Sequence, residues 1–414
     1  MQDPSNEKGV GVGIQLSAVS EFESKMYGSK VDLLKSMYAR HSNFDKEPIE
    51  TPEQDVLFNE KLIFTLPTDV VDMVSDLFLK VKLPNIEMYS AKWTNSIGHS
   101  CIEYISIYHE DEEIVRYTSE YMHVMFMLSN SSSKQTAQRE MIQHKHNELA
   151  INGKSKYLLI EIPFFKSVKD KQMFPIMLAK KNAFQIIVKF KPLSKCLFIE
   201  KDTEVQVKLL TDNNDVCRCI MVYDSNPIIK DRDNIKIICS LFYDGYHLTD
   251  NEIKLFKNNK SDILFRSVEY RIFEWDSRQF NKSAALDFSA SVSEILFCVR
   301  NDVDENINRC FKFKELDKIN YTLKGIQKQE TPTKKYHWNK THKRIPSSWI
   351  YSLPFCLSSV QTQPSGHIKF SGKSDRSSID LTRIDNTFKS KIFIFALTYK
   401  VLSFDKGRIS FLTI

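Results

Sequence analysis

The sequence predicts an all-β protein, a sandwich of short strands joined by polar turns, and three observations carry that prediction. Several segments alternate apolar and polar residues with a period of two. Phe and Tyr are abundant, at 28 and 16 residues. Helical periodicity is confined to a few short stretches. Alternation puts every second side chain on one face, the mark of a half-buried strand, and aromatic rings suit a pleated surface packed against a second sheet.

In chain order, residues 1–52 read as a polar arm with one apolar patch. There Val31, Leu34, Met37 and Tyr38 fall at helical spacing, a short helix expected to pack on the body of the protein. Lys30 and Lys35 leave a membrane-surface role open. LFLKVKL then sets Leu77, Leu79, Val81 and Leu83 on one face, and Pro84 ends the strand. CIEYISIY (Cys101 to Tyr108) runs into an acidic turn, His109 to Glu113. FQIIVKF places Phe184, Ile186, Val188 and Phe190 together before Pro192. Further strands are expected at Lys156–Ile162, Glu204–Leu210, Ile235–Phe242, Val268–Trp275, Ser293–Arg300, Ile350–Cys356 and Lys391–Val401. Helix is expected at Ser119–Leu128, Gln135–Leu149 and Thr249–Asn258, where Thr249 and Glu252 fit a capping box. The residues themselves show no internal repeat. The Asp- and Asn-rich stretch Thr211–Asn234 is the best candidate for a domain junction.

A chain of 414 residues has room for about two or three domains. With 42% hydrophobic residues it can bury a substantial core. The net charge of +6 is small and spread along the chain, so a solvated surface explains it without nucleic acid. The 8 Cys contain no CxxC pair and read as buried free thiols in a reducing compartment. The N-terminus lacks a signal-peptide pattern, and no apolar run reaches the ~18 residues of a membrane span.

Candidate chemistry is sparse. His144 and His146, and the pair His337 and His342, lack the third and fourth ligands a zinc site needs. The acidic cluster Glu110, Asp111, Glu112 and Glu113 with His109 reads as the cap of a hairpin rather than a carboxylate pair acting on sugars. GVGVG (Gly9 to Gly13) lacks the strand and Lys-Ser/Thr of a phosphate loop, and there is no G-x-S-x-G elbow. Lys334 to Arg344 interleaves basic and aromatic residues and reads as a contact loop before a nucleic-acid site. N-x-S/T sequons begin at Asn130, Asn259, Asn281, Asn320 and Asn339. The reading is of a protein that is not an enzyme, with no catalytic, metal or cofactor residues and no cofactor.

An ordered series of motifs points further. Gly11, Gly13, Gln15 and Leu16 are followed by Tyr38, Arg40, His41, Asn43 and Phe44. Then come KVKLP (Lys80 to Pro84), a segment with Trp93, Asn95, Ile97, Gly98 and His99, and EIPFF (Glu161 to Phe165). KPLSKC (Lys191 to Cys196), SLPFCLSSVQTQPSGHIKFS (Ser352 to Ser371) and Arg383, Ile384, Asp385 and Asn386 complete it. This series resembles the major capsid proteins of nucleocytoplasmic large DNA viruses. Ala39 stands where that family has an arginine, and GKSDRSSIDLT is inserted before Arg383, implying a longer loop.

The resemblance implies a tandem double jelly roll, two eight-stranded β-sandwiches with a few short helices in loops. The expected division is an arm over 1–52, a first jelly roll over 53–228 and a second over 229–414. It further implies a homotrimer forming a pseudo-hexagonal capsomer of an icosahedral shell. Its partners would be neighbouring capsomers, minor capsid proteins and, through the arm, the inner viral membrane, with no specific nucleic acid. The place would be the virion, assembled in host cytoplasm. The alternatives are a minor capsid paralogue, a transient scaffolding protein of the same fold, or a jelly-roll carbohydrate-binding protein.

Overall fold

The first strands show why alternation reads correctly here. In the computed structural model, Met73–Leu83 is one strand, and Leu77, Leu79, Val81 and Leu83 are all buried. Phe184–Phe190 buries every second residue in the same way. The structure describes residues 44–87, 91–129, 135–145, 150–164, 173–180, 183–198, 206–211, 217–222, 235–258, 261–328, 348–358, 364–370, 376–405 and 408–413.

The first sandwich is built from β1 (Phe44–Glu50), β2 (Gln54–Leu57), β3 (Lys61–Thr65) and β4 (Met73–Leu83). The two-residue β5 (Trp93–Thr94) and helix α1 (Ile97–Ser100) lead into β6 (Ile102–His109) and β7 (Glu112–Thr118). Helices α2 (Ser119–Ser129) and α3 (Gln135–Ile142) precede β8 (Ala150–Ile151), β9 (Lys156–Glu161) and β10 (Phe184–Phe190). A hairpin of β11 (Gln206–Thr211) and β12 (Cys217–Val222) comes before β13 (Lys236–Leu248). One sheet runs β1-β13-β4-β9, with β2 also on β13; the other runs β3-β10-β6-β7. β1 and β2 lie end to end along β13, so both sheets are four strands wide.

Helix α4 (Asp250–Asn258) carries the chain into the second sandwich. Its start is fixed by the amides of Glu252 and Ile253, which both donate to the Thr249 carbonyl at 3.0 Å. There β14 (Ser261–Trp275), β15 (Asn281–Ala285) and β16 (Val292–Asn301) are followed by α5 (Asp302–Asn306) and β17 (Leu316–Leu323). β18 (Ile326–Lys328), β19 (Ile350–Pro354), β20 (Ser378–Arg383), β21 (Ser390–Asp405) and β22 (Arg408–Thr413) complete the chain. The sheets run β14-β21-β16-β19 and β15-β20-β17-β18, with β22 added along β21.

The strand order is therefore the same twice. Counting β1 and β2 as one strand, and setting aside the small additions, the nth strand of each sandwich takes the same place. Each sandwich alternates between its two sheets in jelly-roll fashion, leaving few edges. The repeat lives in topology, since the residues that fill equivalent positions differ.

Three boundaries differ from the sequence expectation. β13 lies beyond residue 228, yet it pairs with β1, β2 and β4, so the first sandwich closes only at Leu248 and α4 carries the changeover. The closing strand of a jelly roll must return to its first sheet, which is what β13 does. Residues 44–50, counted with the arm, form β1 on the edge of that sheet. The insertion expected as loop contains β20, with Ile379 and Leu381 buried. The expected helix at 31–38, the glycine motif at 11–16, His146, His337, His342 and the basic-aromatic segment 334–344 lie outside the described residues.

Candidate functional site: the seam between the two sandwiches

Two strands of the second sandwich are buried on both faces. β16, VSEILFCVRN, is buried at nine consecutive positions. Its Ile295, Phe297 and Val299 point into the core of the second sandwich with Ile392, Ile394 and Ala396 of β21. The alternate residues Leu296, Cys298, Phe393, Phe395 and Leu397 join the core of the first sandwich instead. This explains the unbroken apolar runs of both strands, a pattern that arises when each face of a sheet is covered.

Helix α2 fills the seam and is buried nearly all round, as a helix apolar on every side must be. Tyr121 packs on Phe395 with ring centroids 5.6 Å apart. Phe164 meets Phe265 at 5.5 Å, and Phe174 meets Phe404 at 5.8 Å. Residues 44–414 accordingly form one compact unit.

A buried polar network pins this apolar contact. Arg300 of β16 donates to Glu120 of α2 at 3.1 Å, to the Cys310 carbonyl at 2.7 Å and to Glu305 at 3.0 Å. Its guanidinium lies 4.8 Å over the Phe393 ring. Lys391 adds a bond to Glu305 at 3.0 Å. Burial alone would raise the Glu120 pKa, but the positive charges of Lys191 and Arg300 outweigh it and hold the carboxyl below its usual range. Burial likewise opposes the charge on Lys191, and Glu120 keeps it protonated.

Asn308 makes the second clasp. Its side-chain amide donates to the Ser194 and Leu197 carbonyls at 2.5 and 2.7 Å, while its own carbonyl accepts from Thr94 Oγ1 at 2.9 Å. Lys400 reaches the Ile114 carbonyl at 3.1 Å. Two motifs quoted from the sequence, around Trp93–His99 and Lys191–Cys196, thus converge on one loop of the second sandwich.

The remaining motif residues act locally. Asn95 accepts from the Lys145 amide at 2.9 Å and donates to its carbonyl at 2.8 Å, closing a loop across 50 residues. Gly98 lets α1 approach α3, since a Cβ there would lie 3.0 Å from Ile142. Arg383 is buried and donates to the Phe388 and Asp276 carbonyls at 2.8 and 2.7 Å, shaping the turn that contains Ile384, Asp385 and Asn386. Ser365 bonds the Ser358 amide at 3.1 Å. A Cβ on Gly366 would sit 2.6 Å from the Phe355 carbonyl oxygen. Gly366→Ala is expected to cost about 1–3 kcal/mol through forced backbone movement, read as a lower urea midpoint with an unchanged slope.

The acidic cluster forms the β6–β7 hairpin. Glu110 takes a left-handed conformation and pairs with Lys180 at 2.7 Å. Glu113 holds Arg116 through two bonds of 2.7 and 2.8 Å. Of the sequons, Asn281 opens β15, where its Oδ1 accepts from Thr382, and Asn320 lies in β17. Cys101, Cys196, Cys239, Cys298 and Cys310 are buried thiols outside any disulfide, and burial pushes the Cys101 thiol up to about 12.

Glu120, Arg300, Asn308 and Phe311 form the seam, and sequence reading did not single them out. The available signal was the unbroken apolar run of β16 ending in two polar residues, Arg300 and Asn301.

Comparison with known proteins agrees with this architecture. Residues 32–223 match the family described as major capsid protein N-terminus. No curated protein matches the chain. Among solved structures, VP54 of the virus PBCV-1 superposes with a TM-score of 0.72 at 14% identity, over 92% of this chain and 100% of that one. The Faustovirus major capsid protein gives 0.69 at 10% identity, over 95% and 98%. The mavirus major capsid protein gives 0.54 at 8%, over 94% and 94%. The fold is the double jelly roll. The likeness of this chain to the major capsid proteins of nucleocytoplasmic large DNA viruses, read from its motifs, is borne out by the family match over residues 32–223 and by the shared fold.

Proposed function

We propose that this chain is the repeating structural subunit of a viral shell, a non-enzymatic brick that forms a homotrimeric, pseudo-hexagonal capsomer. One observation carries the reading: a single chain holds two sandwiches of identical strand order, clamped by a buried seam. Threefold symmetry around such a pair presents six similar modules, and six modules make a near-hexagonal tile. Closed symmetry gives every subunit the same contacts, and modest contacts between tiles, repeated many times, hold a lattice through avidity.

In this reading the chain folds as an arm over 1–43, a first jelly roll over 44–248 and a second over 261–414. Its partners are two further copies, neighbouring capsomers, minor capsid proteins and, through the arm, the inner viral membrane. Assembly takes place in host cytoplasm. Light scattering on the purified chain, followed by negative-stain imaging, tests it: a species of three times the chain mass with a hexagonal outline is expected. A stable monomer at micromolar concentration overturns the proposal.

A further inference from the structure

Three histidines meet where the second sandwich docks on the helices of the first. His99 of α1 and His123 of α2 are buried, and His144, just after α3, is half-buried. Their ring centroids lie 5.7 Å apart for His99–His123 and 5.7 Å for His123–His144. Phe311, from the loop after α5, stacks flat on His123 at 3.9 Å with planes 5° apart. Phe126 closes the box, 5.7 Å from both His99 and His144.

The box is built for neutral rings. Nδ1 of His99 and Nδ1 of His123 are buried with no hydrogen-bond partner among the described residues. His144 Nδ1 shares a 2.7 Å bond with Ser96 Oγ. The charges acting on His99 and His123 are those of the other histidines. On the surrounding elements, Glu120 of α2 is engaged by Arg300. Arg139 and Glu140 lie on α3, Lys145 beside His144, and Arg309 and Lys312 beside Phe311. The docking loop 302–313 carries Asp302, Asp304 and Glu305 as well as Arg309 and Lys312; Asp304 is engaged by Lys312 and Lys314, and Glu305 by Arg300 and Lys391.

We propose that this box is an acid-sensitive latch: protonation of its histidines expels Phe311 and releases the loop 302–313, loosening the second sandwich from the first. Burial holds His99 down to about 3 and His123 well below its ordinary value, so both stay neutral while the box is shut. The opened state takes up protons near the ordinary value of ~6.5. The folded pKa being the lower one, the stabilisation is complete above that value and is lost as pH falls toward the folded pKa. Two such groups raise the opening constant by roughly a hundredfold per pH unit below it.

Hydrogen exchange on the full chain tests the latch. Corrected for intrinsic rates, amide protection over 309–313 is expected to fall about thirtyfold from pH 6.5 to 5.5. His123→Phe keeps the stack and should reduce that fall to about fivefold. Unchanged protection in the parent chain, or an equal fall in the variant, overturns the proposal. Should the variant fail to fold, histidine C2–H exchange in the parent decides. His99 and His123 are expected to show no titration between pH 7.5 and 5.5, and ordinary titration there refutes the latch. Every readout concerns the single chain, so trimer formation is not at stake in it.

Discussion

Val188→Asp is expected to abolish folding. Val188 is fully buried in the middle of β10, paired across to Leu62 on one side and Ile105 on the other. Every neighbour on that face is apolar core of the first sandwich, so an aspartate there has no cation or donor in reach. An unpaired buried carboxylate costs several kcal/mol, comparable to the whole stability of a domain at about 5–15 kcal/mol. The neighbouring Gln185 sits on the other face of the same strand and is half-buried, so Gln185→Asp is the control. Soluble yield and circular dichroism should separate them: an insoluble or unfolded Val188→Asp beside a folded Gln185→Asp. Equal behaviour of the two would mean that β10 is shifted by one residue, because a one-residue slip exchanges the faces.

Arg300→Met is expected to destabilise the chain by about 3–5 kcal/mol, the usual consequence of leaving one partner of a buried pair uncompensated. The carboxylates of Glu120 and Glu305 would then face Lys191 and Lys391 alone. Removing both charges tests whether the loss comes from imbalance. Glu120→Gln with Arg300→Met should recover a substantial part of it, because the remaining groups can hydrogen-bond without an orphaned charge. Urea denaturation of the parent, both single variants and the double variant gives the coupling energy directly. Additive losses would show that Glu120 and Arg300 do not work as a pair. The apolar seam should also hold less firmly in Arg300→Met, seen as earlier loss of amide protection in α2 than in the strands of either core.

Much of the first sandwich was legible. β4 and β10 alternate cleanly because one face meets the core and the other meets solvent or a polar edge. Helices α2 and α4 were legible too, α4 from its capping residues Thr249 and Glu252. β1, β2, β3, β7, β12, β15, β17, β18, β20 and β22 were missed, as were the two-residue β5 and β8. β1 has almost no buried face, and its residues are exposed except Ile49. In β15 only Ala284 turns to the core. SIDLTR alternates correctly in β20, but an insertion relative to the resembled family disguised it as a loop. The acidic hairpin at Glu110 was read correctly in position, while the bidentate hold of Glu113 on Arg116 needed the strand register to appear.

What the residues settled unaided was the class of fold and the kinship. Period-two burial is a local property, imposed on each strand by its own pleat, and ordered motifs survive as fixed contacts such as the Asn95 clasp or the close approach at Gly98. What only three dimensions decided was which surfaces meet. The seam draws Glu120, Lys191, Arg300 and Asn308 from segments up to 188 residues apart. Long-range pairing of this kind leaves no periodicity behind, because a buried charge is defined by its distant partner rather than by its neighbours in sequence. The position of β13, too, follows from the need to close a sheet begun nearly two hundred residues earlier, which no window along the chain can contain.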